Sequence, residues 1–148
     1  KANKITFRTD KSNKDIIYKR NYIRHQIIPA FKKINSNIID TVAKNTEHFR
    51  EILTFLETQA TEWISKNIID KSPSKINAKT LRKQPKTLQK EVVFQLYKNF
   101  IGNTKNIETS HIEEVLKIIN SGLGNKKKSI GKLTFSIKNN ILSIKKAP

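Results

Sequence analysis

Two arginines four residues apart, Arg20 and Arg24, have the type and spacing in this sequence best suited to chemistry. On an α-helix a four-residue step returns to the same face, so the pair can aim two planar guanidinium forks in one direction. Such forks grip phosphate or carboxylate through paired hydrogen bonds. Asn21 and His25 follow them directly, adding an amide and an imidazole. Of the 30 basic residues only Arg8, Arg20, Arg24, Arg50 and Arg82 are arginine, and the first three crowd the start of the chain. In so lysine-rich a chain, a planar residue kept at these places points to planar recognition. The same spacing also suits an ordinary solvated helix face, where charges contribute little.

The elements that must position these side chains can be read around them. Asp10, Ser12 and Asn13 form a turn or cap signature, because short polar side chains bond neighbouring backbone N–H groups. Residues 1–9 read as an extended lead-in. Ile23, Ile27 and Phe31 recur every four residues and predict a helix over 12–34, which Pro29 should kink or restart. Asn35-Ser36-Asn37 breaks it. A long amphipathic helix then follows to about Asn67, with Ile38, Val42, Phe49, Leu53, Leu56, Ala60 and Trp63 on its apolar stripe. Such a rod needs a packed face, so the Arg20 helix and the later helices are its expected partners. Trp63 falls in register with the stripe and reads as core rather than as a base-stacking platform.

Ile69 to Gln84 reads as a connector, and its basic run Lys71, Lys75, Lys79, Arg82, Lys83 and Lys86 suits either phosphate tracking or a solvated linker. Leu88, Val92, Leu96 and Phe100 mark a helix that Gly102 can end. Ser110 and Glu113 have capping-box spacing, opening a helix that buries Ile112, Val115, Leu116 and Ile119 and stops at Gly122. The loop from Gly102 to Thr109 is too long for a helix-turn-helix. Leu133, Phe135 and Ile137 alternate, and Asn139-Asn140 suits a two-residue hairpin turn, setting Ile137 opposite Leu142 and Phe135 opposite Ile144. Before it, Lys126, Lys127 and Lys128 form an exposed basic turn, the densest charge cluster. The expected class is mainly α: a helical bundle of one kinked linker helix, one long helix and two shorter ones, with a small C-terminal β-hairpin. Its expected segments are a linker over 1–35, a helical substrate-binding domain over 36–102, and a C-terminal helix and hairpin over 103–148 packed on that domain.

A net charge of +18 calls for a polyanionic partner. Abundant Lys, Asn and Ile also mark an A/T-rich coding genome, which accounts for Lys in place of Arg. A membrane surface would want the lysines gathered on one amphipathic face, whereas here they are scattered. There is no cysteine, hence no disulfide framework and no thiolate site. No apolar run approaches the ~18 residues of a membrane span, so the expectation is a cytoplasmic protein without membrane partners. The chain starts at Lys1 and lacks Met, which fits a piece of a longer protein. His25, His48 and His111 are too far apart for a local metal motif, and His48 and His111 read as surface or capping residues. No Ser or Thr sits in a nucleophile elbow or phosphate-cradling loop. Taken alone, the residues carry no catalytic apparatus.

The order Asp10-x-Ser12-Asn13, Asp15, Tyr18-x-Arg20-Asn21-x-Ile23-Arg24-His25, Ile28-Pro29 and Ile34-Asn35 resembles the stretch after the ATP-binding domain in the tRNA(Ile)-lysidine synthase family. Looser similarity runs on through Leu88-Gln89-Lys90, Ser110-His111-Ile112 and the closing Gly/Lys segment. The family's catalytic Ser-Gly-Gly-x-Asp-Ser loop is absent, so the resemblance is to the back half of the enzyme. The family joins lysine to the wobble cytidine of CAU-anticodon tRNA(Ile), using ATP to adenylate the base and free lysine to displace AMP. By resemblance, Arg20, Asn21, Arg24 and His25 face the ATP and tRNA phosphates, with Asp10, Ser12 and Asn13 as the supporting turn. Lys126, Lys127, Lys128 and Arg82 would hold tRNA. ATP and Mg would be bound mainly by the absent domain, with no cofactor in this chain, which alone would be inactive. The implied partners are tRNA(Ile) and lysine, with a homodimer left open, in a bacterial cytoplasm or plastid stroma. The competing readings are a helical scaffold, or another basic RNA-binding module, without a catalytic role; a free-standing DNA-binding protein lacks a recognition helix.

Overall fold

The computed structural model describes residues 16–70, 72–105, 107–122 and 125–146. The turn expected at Asp10, Ser12 and Asn13, and the lead-in before it, lie outside these residues. The chain divides into two compact units between Arg50 and Glu51.

In the first unit a helical run begins with α1 (Lys19–Tyr22), widens into a π-helical turn (Ile23–Ile27) and continues as α2 (Ile28–Ile34). The π turn sits just before Pro29, which occupies the first turn of α2. Proline lacks an N–H, and its ring would collide with the carbonyl four residues back. A wider turn absorbs that misfit without ending the helix. Asn35 then turns extended, and its side chain accepts from the Asn37 N–H at 2.9 Å. This Asx turn releases α3 (Ile38–Asn67), so the break falls where the sequence places it. The expected burial does not follow. Ile23 is 49% exposed, Phe31 53%, Val42 54% and Phe49 64%. Among the described residues, the stripe of the Arg20 helix and that of early α3 leave each other uncovered. An apolar period marks a face able to pack; it does not supply the partner.

The second unit holds the core. The end of α3 contributes buried Ala60 and Ile64, with Trp63 packed against them. Then come β1 (Ile68–Ile69), β2 (Ser72–Asn77), α4 (Ala78–Arg82), α5 (Lys86–Ile101), α6 (Thr109–Asn120), β3 (Lys126–Ile130), β4 (Leu133–Lys138) and β5 (Ile141–Lys146). The strands form one antiparallel sheet in the order β1-β2-β5-β4-β3. The chain is mainly helical, as expected, and the hairpin is present: Ile137 pairs with Leu142 and Phe135 with Ile144. Asn139 and Asn140 turn at φ 52° and 61°, the left-handed conformation that asparagine tolerates.

Three expectations change. The hairpin is the centre of a five-stranded sheet rather than a lone pair. The connector is ordered: its Lys75, Ile76 and Asn77 pair with Ser143, Leu142 and Ile141, and Asn77 accepts from Lys79 N–H at 3.0 Å to cap α4. The lysine turn is a strand, with Lys126, Lys127 and Lys128 opposite Ile137, Ser136 and Phe135. In each case pairing with distant residues overrides a polar local composition.

Strand alternation sends Ile130, Leu133, Phe135, Ile137, Leu142 and Ile144 to one face, where all are buried. Val92, Val93 and Leu96 of α5 and Val115 and Ile119 of α6 complete this core. Gly102 ends α5 at φ 80°, as its position predicts. The cap of α6 is shifted from the expected Ser110/Glu113 box: Glu108 is the N-cap and His111 its reciprocal partner.

Candidate nucleic-acid interface

The first unit carries the arginine pair. Arg20 lies on α1 and Arg24 one turn later in the π-helical segment, and both are exposed. Neither forms an ion pair among the described residues. His25 beside them is also exposed. Asn21 differs: it is only 4% exposed. The backbone therefore places Arg20, Arg24 and His25 on the surface, with Asn21 buried beside them.

The second unit carries the other basic residues. On edge strand β3 the lysines alternate, with Lys126 and Lys128 on the helix side and Lys127 on the other. Lys128 is bound to Glu114 of α6, which ties the strand to the helix. That hydrogen bond, with the lysine charge behind it, holds the Glu114 carboxyl below its ordinary value. Lys126 and Lys127 are exposed and border a depression of about 390 Å³ shared with Asn125, Ser136, Ile137 and Lys138. No carboxylate lines it. Lysine on an edge strand also discourages pairing with a stray strand. Arg82 is half-buried and donates to the Asn140 side chain. It stands apart from the β3 lysines in the sheet order, on the helix that follows β2.

A second depression, of about 420 Å³, lies where α5 and α6 meet, lined by Lys86, Lys90 and Lys117 with Glu113. Lys90 donates to Glu113 at 2.9 Å. This bond, then the charge of Lys90, lowers the Glu113 pKa. At the foot of the depression Gln89, 4% exposed, donates to the Gln84 carbonyl at 2.7 Å and accepts from Asn120 at 3.1 Å. Its polar atoms are occupied by the fold. No three His, Asp or Glu side chains converge on a metal-sized site among the described residues. No described helix is long and apolar enough to cross a membrane.

The residues that sequence reasoning missed are Lys138 and Lys145. Lys138 shares the depression with Lys127, and Lys145 is exposed beside Thr134 on the same side of the sheet. The signal was present: if Leu133, Phe135 and Ile137 face inward, every second residue between and after them faces out.

No family model matches the chain. Curated relatives do. A tRNA(Ile)-lysidine synthase of Oceanobacillus iheyensis is 32% identical over 130 residues, covering 84% of this chain and 28% of that protein. The synthase of Francisella philomiragia is 30% identical over 121 residues, 82% of this chain and 29% of the relative. A shorter match, 46% over 55 residues, covers 37% of this chain and 13% of the Thermosipho africanus synthase. The chain thus spans less than a third of the length of these relatives. It belongs to the tRNA(Ile)-lysidine synthase family, matching a C-terminal region of that enzyme.

Proposed function

We propose that this chain is the part of a tRNA(Ile)-lysidine synthase that grips tRNA and completes an active site housed mainly in the catalytic domain. The whole enzyme would join lysine to the wobble cytidine of CAU-anticodon tRNA(Ile) at the expense of ATP, in a bacterial cytoplasm or plastid stroma. ATP with Mg, and free lysine, would be held by the remainder of the protein, and this chain alone would turn over neither. The observation that carries the reading is the alignment of 84% of the chain with a lysidine synthase.

The arginine pair suits the chemistry. Adenylation of the base and loss of AMP both move negative charge onto phosphate oxygens, and donors placed beforehand stabilise that charge. Arg20 and Arg24, exposed one turn apart and without an ion pair among the described residues, would supply two such forks. Asn21, buried beside them, would fix the turn or hydrogen-bond the substrate. Lys126 and Lys127 would add phosphate contacts to the tRNA body.

The test is Arg24→Ala in the full-length enzyme. A preplaced donor is worth on the order of 100-fold in rate, so lysidine formation should fall by about that factor while the thermal midpoint stays unchanged. Full activity would overturn the site assignment. The chain alone should bind tRNA with an affinity that falls steeply with salt. No binding at low salt would favour a helical scaffold instead.

A further inference from the structure

The strand register gives the sheet a second face that the helices leave open. Helices α5 and α6 pack on the side of Phe135, Leu142 and Ile144. On the other side, residues directly opposite one another form transverse rows. Lys127, Ser136, Ser143 and Lys75 make the middle row, one residue from each of four strands. Ser129, Thr134 and Lys145 flank it on one side, and Lys138, Ile141 and Asn77 on the other. Rows repeat every ~6.8 Å along the strands, and the strands lie ~4.8 Å apart.

The chemistry of these positions is narrow. They supply four ammonium groups, four hydroxyls and an amide, with no carboxylate and no aromatic ring. Lys75 is partly engaged by Asp70 at 3.6 Å, and Asn77 caps α4. Lys127, Lys138 and Lys145 form no ion pair among the described residues. Ser129 and Thr134 hydroxyls meet at 2.9 Å, and Ser136 donates to the Ser143 carbonyl at 3.4 Å, so three of the four hydroxyls are held across the strands.

We propose that this open face anchors double-helical RNA by its sugar–phosphate backbone and does not read its bases. The inference rests on the tRNA-binding reading above and assigns that binding to a face and a mode. Ammonium groups pair with phosphates as point charges, and hydroxyls donate to phosphate oxygens or exchange bonds with 2′-hydroxyls. An RNA duplex displays both across a wide, shallow minor groove. Single-strand binding depends instead on stacking bases against aromatic rings. The one aromatic residue of β3, β4 and β5, Phe135, is fully buried on the opposite face. The face therefore gives affinity without identity, holding any paired stem equally well and leaving the choice of tRNA to other contacts.

The experiment compares three probes on the full 148-residue chain: a short RNA hairpin stem, the same stem with scrambled base pairs, and oligouridine of equal length. Both stems should bind with equal affinity and more tightly than oligouridine. The triple variant K127Q/K138Q/K145Q should lose about tenfold or more in stem affinity, and its log–log salt slope should flatten by about three, one per lysine. Should the triple variant misfold by circular dichroism, K138Q alone should flatten the slope by about one. Tighter binding of oligouridine, a preference between the two stems, tighter binding to phosphatidylglycerol vesicles than to either stem, or unchanged stem affinity in the variants would overturn the proposal. If the variants keep full affinity while the unaltered chain binds tRNA, the face is wrong and the tRNA reading stands. If the unaltered chain binds neither tRNA nor stem at low salt, the tRNA reading fails as well.

Discussion

Arg82 donates from Nη2 to the side-chain oxygen of Asn140, 58 residues further along the chain. The Ala78 N–H donates to the Asn140 carbonyl at 2.8 Å, so both ends of α4 grip the same β4–β5 turn. The guanidinium expected to touch RNA is thus shared with a structural bond. Its Nε is buried without a hydrogen-bond partner among the described residues, a cost that the Nη2 bond offsets. Replacing Arg82 by Ala should lower stability by about 1.5–3 kcal/mol, the range for a hydrogen bond from a charged group. A urea titration reads this as an earlier midpoint. Arg82→Lys should not restore it, because a lysine lacks the fork that reaches Asn140.

The cap of α6 offers a sharp test of register. The Glu108 N–H donates to His111 Nδ1 at 3.2 Å, while the Glu108 side chain accepts from the His111 backbone. Losing a side-chain cap costs about 0.5–2 kcal/mol. Glu108→Ala should fall in that range. Ser110→Ala, at the position sequence spacing favours, should stay within about 0.5 kcal/mol of the parent. Equal losses at both positions would contradict the observed cap.

Acid should weaken the second unit through two carboxylates. Glu113 and Glu114 are each held below their ordinary value of 4.5, chiefly by hydrogen bonds from Lys90 and Lys128. A carboxyl whose pKa is lower folded than unfolded stabilises the fold above the unfolded value. That contribution is lost as pH falls through the folded value. The urea midpoint should therefore drop as pH falls below about 4.5, and Glu114→Gln should drop less steeply. Both groups are solvent-facing, so added salt should flatten the difference.

The hairpin turn should resist β-branching. Asn139 and Asn140 sit at φ 52° and 61°. Left-handed backbone costs an ordinary L-residue about 1–2 kcal/mol. Asn139→Val should lower the thermal midpoint, and Asn139→Gly should not.

A charge-preserving change separates shape from charge at the arginine pair. If bidentate contact matters, Arg24→Lys in the full-length enzyme should recover little of the rate lost in Arg24→Ala. Full recovery would mean that charge alone suffices.

Much of this was legible in the residues. Gly102 had to end a helix, Asn139-Asn140 had to turn, and Phe135 had to face with Ile144, because each depends on chemistry within a few positions. The Arg20 and Arg24 spacing was equally visible, as was the family likeness around it. What escaped was non-local. The stretch from Ser72 to Asn77 reads as a lysine-bearing linker until β5, some way downstream, pairs with it. Lys126 to Lys128 read as a turn until β4 folds back on them.

The amino-acid order by itself determined the long helix, the break at Asn35, the stop at Gly102, the inward alternation of β4 and the basic character of the surface, since propensity and turn preference act locally. Only the tertiary structure decided that five segments close into one sheet, that Asn21 is buried while its neighbouring arginines are exposed, and that Lys127, Lys138 and Lys145 share an open face. Those outcomes depend on which distant strands pair and which apolar faces find cover, and hydrophobic burial has no direction written in the chain.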